Sequence, residues 1–393
     1  MKKREVNSSR IPVYRDAGFE LFDAETTSRA FQNETNNERE PGLYIYSRYR
    51  NPTVVAAEEE IMKLEGSAWS LLTQSGMSAI DTSVSIFQKG KKTAPWLFFS
   101  EIYGGTLSYA DSILKRRRGL DIQNFVPVNE RYNINAFESV MKTLHPEIVY
   151  IEAISNPMLI VPDAVKIIKV AKKYGAKVLV DNTFATPYLW KPLESGADIV
   201  IHSATKYFSG HGNITAGVIC GNDTEIMKDC IEYRKFVGHM ISADDAYRLH
   251  TQVQTFMLRF RNQCKNAAKI AELLNRSKLV RKVWYPGLKE HPSYEEALRL
   301  FGKKGFGGMV TFDFAGKTKV EKKKRRDDFI KAVTKKIKLI PSLGDFRTIL
   351  MPVEAVWGIK YPEPGMIRIS AGFEDSEELT KTISNALDFI ASQ

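Results

Sequence analysis

The sequence predicts an α/β protein: a large, mostly parallel β-sheet buried on both faces, followed by a smaller α+β domain. Two observations lead there. Short apolar runs of strand length alternate with amphipathic helical stretches through roughly the first 245 residues, the pattern of strands covered by helices on both sides. Beyond that point the pattern changes to one long helical stretch, then separate strands and helices.

Taken in order, residues 1–50 are polar, carry NETNNEREPG at 33–42, and read as an extended arm without its own core. TVVAAEEEIMKLEG, from residue 53, has the period of an amphipathic helix and closes on Gly66. SAWSLLTQSGMSAIDTSVSIF gives a short strand, a Ser75-Gly76-Met77 turn and a helix. Strands are predicted at WLFFS (96–100), EIVYIEA (147–153), AKVLVD (176–181), ADIVIH (197–202) and TAGVIC (215–220), with helices between several of them, such as VKIIKVAKKYG (165–175). One helix is predicted from Asp245 to Leu274, a basic helix over 319–338, and a strand at MIRISAG (366–372). The expected units are therefore an arm (1–50), a large domain (51–245) and a C-terminal domain (246–393).

Composition is ordinary for a folded chain of 393 residues, with 43% hydrophobic and 26% charged, which excludes a disordered protein. The net charge of +11 raises nucleic-acid binding as a function class. The densest basic runs are Arg116-Arg117-Arg118 and KKKRR at 322–326. Both have acidic neighbours and no nucleic-acid motif, so they read as surface helices. Cys220, Cys230 and Cys264 make no zinc or CxxC spacing and fit reduced thiols in a cytoplasm. The first residues lack the apolar segment of a secretory signal, and no run is long enough to span a bilayer. Neither a metal site nor a membrane or nucleic-acid partner is expected.

The chemistry concentrates in VLVDNTFATPYLWKPLESGADIVIHSATKYFSGHGN, residues 178–213. One apolar run ends on Asp181; a second ends at Ser203, with Lys206 close behind. Ligands of parallel α/β sheets gather beyond the carboxyl ends of strands. Pyridoxal 5′-phosphate (PLP) needs such a pair. Its aldehyde condenses with a lysine, and a carboxylate keeps its pyridine nitrogen protonated, making the ring an electron sink. Asp181 and Lys206 are 25 residues apart, room for one loop and one strand. Ser203 and Thr205 offer hydroxyls for a phosphate, and the Ser75-Gly76-Met77 turn offers N–H groups at a helix start. Singly, each residue has a plainer use: a strand-end Asp caps turns, and a strand-end Lys is a solvated charge. Ser203-Ala-Thr-Lys206 also matches the SxxK of serine β-lactam enzymes, but there the Ser opens a helix, whereas here it ends a strand.

The whole of DNTFATPYLWKPLESGADIVIHSATKYFSGHGNITAGVI resembles the cofactor-binding signature of the trans-sulfuration (Cys/Met metabolism) family of fold-type I PLP-dependent enzymes. YSRYRNPT (46–53), QSGMSAI (74–80), IYGGT (102–106), SNP (155–157), YPGL (285–288), GGM (307–309), SLGD (342–345) and IRISAGFED (367–375) are similar to further motifs of that family. The resemblance implies that Lys206 holds the cofactor covalently and later moves protons. It implies that Asp181 pairs with the pyridine nitrogen and that Tyr103 stacks on the ring and protonates the leaving thiol. Gly76, Met77, Ser203 and Thr205 would bind the phosphate. Tyr46 and Arg48 would reach the phosphate of a neighbouring subunit, so the active unit would be at least a dimer, usually a tetramer of two dimers. Arg368 would clamp the substrate α-carboxylate beside Ser342 and Asn156, with Asn156 also on the cofactor side; a guanidinium fork suits a carboxylate.

The resemblance leaves several reactions open. Cystathionine-specific γ-enzymes place an Arg a few residues after the stacking Tyr and a Glu before SLG; here Ser108 and Pro341 stand there. Both changes remove charge, so an uncharged distal pocket is expected, suited to methionine, homocysteine or an O-acylhomoserine. Methionine γ-lyases have a Cys after the YG pair and a Lys-Asp pair before the second domain; here these are Gly105 and Arg234-Lys235. After SLGD the chain departs from the family into FRTILMPVEAVWGIKYPEPGM. The expected activity is γ-elimination, or γ-replacement, on methionine-, homocysteine- or cystathionine-type amino acids, with the lyase favoured. Cystathionine γ-synthase, O-acylhomoserine sulfhydrylase and aminotransferase chemistry are the alternatives.

Overall fold

A computed structural model describes residues 10–34, 43–88, 90 and 94–393. Two sheets organise it. The larger has seven strands: β1 (Trp69–Thr73), β2 (Trp96–Phe99), β3 (Ile122–Phe125), β4 (Ile148–Glu152), β5 (Lys177–Asp181), β6 (Ile199–His202) and β7 (Gly217–Gly221). Their spatial order is β1-β7-β6-β5-β4-β2-β3, and only β7 runs against the others. Every residue of β2, β4 and β6 is buried, as expected of strands covered on both faces. The helix Ala164–Lys173 shows how the cover is made: Ala164, Ile167, Ile168 and Ala171 lie against the sheet, and its lysines face out.

Local chemistry sets the helix starts that matter for function. Asn51 caps the helix Pro52–Glu65, its side chain accepting from the Thr53 and Val54 N–H groups, and Pro52 fits the first turn. The helix stops at Gly66, whose φ of +72° is cheap only for glycine. Ser75 caps the helix Gly76–Ser85 by accepting from the Ser78 N–H.

The smaller sheet comprises β8 (Val280–Trp284), β9 (Met309–Phe314), β10 (Lys338–Leu339), β11 (Ile349–Pro352) and β12 (Met366–Ser370), in the order β10-β11-β12-β9-β8. Each sheet has its own apolar core, and the helix Phe256–Arg276 serves both. Phe256 and Phe260 pack on the large sheet's core, Ile270 and Leu274 on the smaller one's.

Several elements differ from expectation. The arm holds a helix, Ala24–Gln32, capped by Asp23 and burying Thr26 and Ala30, so its described part is not simply extended. Most of NETNNEREPG, like residues 1–9, lies outside the described residues. The single helix expected from Asp245 to Leu274 is two, Ala243–Val253 and Phe256–Arg276, and the first straddles the expected boundary at residue 245. The break has a cause. The Gln252 carbonyl accepts from the Arg259 guanidinium at 2.9 Å and from Thr255 Oγ1 at 3.1 Å, which draws it away from the helical ladder. β3 was not anticipated, and the basic helix ends at Val333. Its cations meet carboxylates: Lys322 with Asp313 and Glu363, Lys324 with Asp328, Arg325 with Glu321, and buried Arg326 with Asp327 and Glu354. Cys220, Cys230 and Cys264 are buried free thiols. Among the described residues no helix is long and apolar enough to cross a membrane, and no cluster of potential metal ligands is found.

Candidate active site

The carboxyl ends of the parallel strands open into a cavity of about 680 Å³. Glu152 ends β4 and Asp181 ends β5, directly opposite each other in the strand register. His202 ends β6, with Ser203 and Lys206 in the turn that follows. Ten residues singled out from the sequence line this one space: Gly76, Met77, Tyr103, Asn156, Asp181, Ser203, Thr205, Lys206, Ser342 and Arg368. Tyr46 and Arg48 do not. Arg48 donates to the Lys235 carbonyl at 2.7 Å and lies over the Tyr46 and Tyr49 rings, while Tyr46 is 41% exposed.

Lys206 reaches the cavity from a tightly held turn. Buried Arg259 donates to the carbonyls of Tyr207 and Phe208 at 2.9 and 2.8 Å, fixing the backbone just after the lysine. Gly210, at φ +66°, leaves the space that this guanidinium fills. Arg259→Leu would strip donors from these buried carbonyls and is expected to cost about 3 kcal/mol, read as a lower denaturant midpoint. The Lys206 ammonium donates to Ser342 Oγ at 3.0 Å. Burial, and then the nearby Arg368 charge, lower its pKa to about 8.

Arg368 rises from the middle of β12, between β9 and β11. It donates to Asn156 Oδ1 and to the Ser342 carbonyl, both at 2.9 Å, while its Nε is buried without a partner. Its guanidinium lies 5.3 Å from the centre of the Trp357 ring. A buried cation held only by neutral acceptors is short of an anion.

Asp181 accepts from the Thr183 N–H at 3.0 Å, the Thr183 hydroxyl at 2.5 Å and the Tyr150 hydroxyl at 3.3 Å. Burial raises its pKa. Glu152 was not anticipated. Burial, followed by the Asp181 charge, pushes its carboxyl well above the usual range, and it accepts from the Tyr103 N–H at 2.6 Å. EIVYIEA held the same clue as AKVLVD, a carboxylate closing an apolar run. Two adjacent buried carboxylates favour a cation between strand ends and cavity.

At Gly76 a β-carbon would lie 2.9 Å from Ser203 Cβ, so the helix start and the Ser203 turn approach as closely as a glycine allows. The Gly76 and Met77 N–H groups, in the first turn, have no acceptor within their helix, and both residues line the cavity, an arrangement that suits an anion. Gly76→Ala is expected to push this turn off Ser203 and weaken PLP binding about tenfold, read by titrating the apo-protein with cofactor. The Thr205 hydroxyl is spent on strand entry, donating to the Ala216 carbonyl and accepting from the Ala216 N–H. At Gly105 a β-carbon would lie 2.3 Å from Tyr103 Cε1, so a cysteine there requires another position of the Tyr103 ring.

This donor set suits PLP: a half-buried lysine of lowered pKa, a strand-end carboxylate, an aromatic face and a glycine-lined helix start for phosphate. Residues 1–388 match the Cys/Met metabolism PLP-dependent enzyme family. The chain belongs to that family. A cystathionine beta-lyase of Lactococcus lactis subsp. cremoris is 34% identical, over 89% of this chain and 90% of the relative. An L-methionine gamma-lyase of Fusobacterium nucleatum subsp. polymorphum is 32% identical, over 97% and 93%. The crystal structure of cystathionine gamma-lyase from Lactobacillus plantarum complexed with L-serine superposes with a TM-score of 0.84 at 27% identity, covering 97% and 94%. As in the family, the fold is that of a PLP-dependent enzyme of Cys/Met metabolism.

One part of the cavity lining was not anticipated. Ser108 and Pro341 line the cavity as uncharged residues, but Lys360 and Trp357, from the divergent segment 346–366, line it too. The cavity therefore also carries the Lys360 ammonium, paired with the Glu101 carboxylate at 3.2 Å. No motif in the sequence marks Lys360; only the fold brings a residue so far along the chain beside Ser100 and Glu101.

Proposed function

We propose that this enzyme cleaves the carbon–sulfur bond of a thioether amino acid by elimination, consuming one water and releasing a thiol, ammonia and a 2-oxo acid. The observation carrying this reading is the double contact of Ser342, which accepts from Lys206 Nζ through its hydroxyl and from Arg368 through its carbonyl. A substrate whose α-carboxylate displaces the neutral acceptors of Arg368 has its Cα–H beside the Lys206 amine. When bound, PLP supplies the electron sink that makes that proton removable. Lys206, with its lowered pKa, takes the proton from Cα and delivers it to a neighbouring carbon. Asp181 would hold the protonated pyridine nitrogen. Tyr103, on the rim and anchored through its N–H to Glu152, would cover the cofactor ring, and its phenol would give its proton to the leaving sulfur.

Gly76, Met77 and Ser203 would hold the phosphate, with Thr205 bracing the turn rather than donating. Exposed Tyr46, with Arg48, would complete this site in a second copy of the chain, so the active unit would be at least a dimer, assembled as a tetramer in the cytoplasm. Elimination is favoured over replacement because the relatives named above are lyases by name. The test is 2-oxo acid release by the PLP-loaded enzyme from L-cystathionine and from L-methionine. 2-Oxobutanoate reports cleavage at Cγ and pyruvate cleavage at Cβ; no 2-oxo acid from either sinks the lyase reading in favour of replacement.

A further inference from the structure

The segment 346–366 builds part of the cavity wall. A helical turn, Glu354–Trp357, runs into a tighter turn, Gly358–Lys360. Gly358, at φ +54°, permits the change of direction. Trp357 lies against the Arg368 guanidinium, and Lys360 lies beside the strand-end loop that leads from β2 to Tyr103.

Lys360 is not a free surface lysine. Its ammonium donates to the Ser100 carbonyl at 2.8 Å and sits 3.2 Å from the Glu101 carboxylate, which the Tyr361 hydroxyl also holds. An ammonium has three N–H donors. Two are engaged there, and the residue lines the same cavity as Lys206 and Arg368. The other carboxylates of the cavity are committed, Glu152 to the Tyr103 N–H and Asp181 to Thr183 and Tyr150. With Arg368 taking the α-carboxylate, Lys360 is left as a second, separately anchored cation for the substrate.

We propose that Lys360 recognises a carboxylate at the far end of the leaving group, so that the preferred substrate is a thioether amino acid carrying a second carboxylate rather than methionine. This rests on the thioether-cleaving function above. It assigns to a residue of the divergent segment the charge that Ser108 and Pro341 do not provide.

The test uses two probes of equal shape, S-(2-carboxyethyl)-L-homocysteine and S-(2-carbamoylethyl)-L-homocysteine, which differ in the far charge. Their affinities for the PLP-loaded enzyme are measured by calorimetry, and turnover by 2-oxo acid release. The carboxylate probe is expected to bind roughly 10- to 100-fold more tightly, the range of a charge-assisted hydrogen bond. Lys360→Gln should bring that ratio close to one, while Lys360→Arg, which keeps the charge and the Glu101 pair, should retain a clear preference. Equal affinities in the parent enzyme, no binding of the carboxylate probe, or an unchanged ratio in Lys360→Gln would overturn the proposal and leave Lys360 as a strut to Glu101. A preference that depends on Lys360 without any 2-oxo acid release would sustain it and instead sink the lyase reading.

Discussion

Lys206→Ala is expected to lower 2-oxo acid release by about 10³-fold or more and to leave a protein that no longer turns yellow with PLP. The size follows from the number of tasks the residue combines. Its amine anchors the cofactor, and the same amine then moves the substrate proton. No neighbour can substitute, because Ser342 is neutral and Arg368 cannot act as a base. The fold should survive, since the turn around Lys206 is held by Arg259 through backbone carbonyls rather than through the lysine side chain. A melting temperature close to that of the parent apo-enzyme would separate lost chemistry from lost structure.

Substitution of Arg368 is expected to have the second-largest effect, and it acts in two ways. Arg368→Lys keeps a positive charge but loses the planar fork, and kcat/KM should fall about 100-fold, chiefly through KM. Arg368→Leu removes the charge as well, and with it one of the two causes that lower the Lys206 pKa. A cation disfavours a second cation nearby, so its removal moves the Lys206 pKa upward. Only the neutral amine condenses with the PLP aldehyde. In the parent apo-protein the rate of cofactor attachment should therefore rise about tenfold per pH unit below pH 8 and level off above it. In Arg368→Leu the plateau should begin at higher pH. An unchanged profile would mean that Arg368 does not act on the lysine.

Much of this site could be seen in the sequence because a parallel sheet converts strand ends into neighbours. Asp181 and Lys206 sit where apolar runs stop, and the register that sets β5 beside β6 brings their segments together. Gly76 followed from the Ser75-Gly76-Met77 turn, and the structure adds its reason, the close approach to Ser203. Arg368 came from the resemblance of IRISAGFED, and the structure adds the physical reason, a buried guanidinium with only neutral acceptors. Glu152 obeyed the same strand-end rule and was passed over. Lys360 and Trp357 belong to another class: their place depends on a short turn without hydrophobic period, docked against a loop some 260 residues earlier. The helix break at Gln254–Thr255 also had no local signal, neither proline nor glycine. It arises from Arg259, which also holds the Lys206 turn, so one buried guanidinium ties the helix break to the active site.

Lys206, in the turn after β6 and lining the same cavity as Asp181, is the one lysine proposed to hold the cofactor. Reducing the PLP-loaded enzyme with borohydride and mapping its peptides tests this directly. One phosphopyridoxyl group is expected, on Lys206, absent from the Lys206→Ala protein. Labelling of another lysine, or none at all in an enzyme that still releases 2-oxo acid, would contradict it.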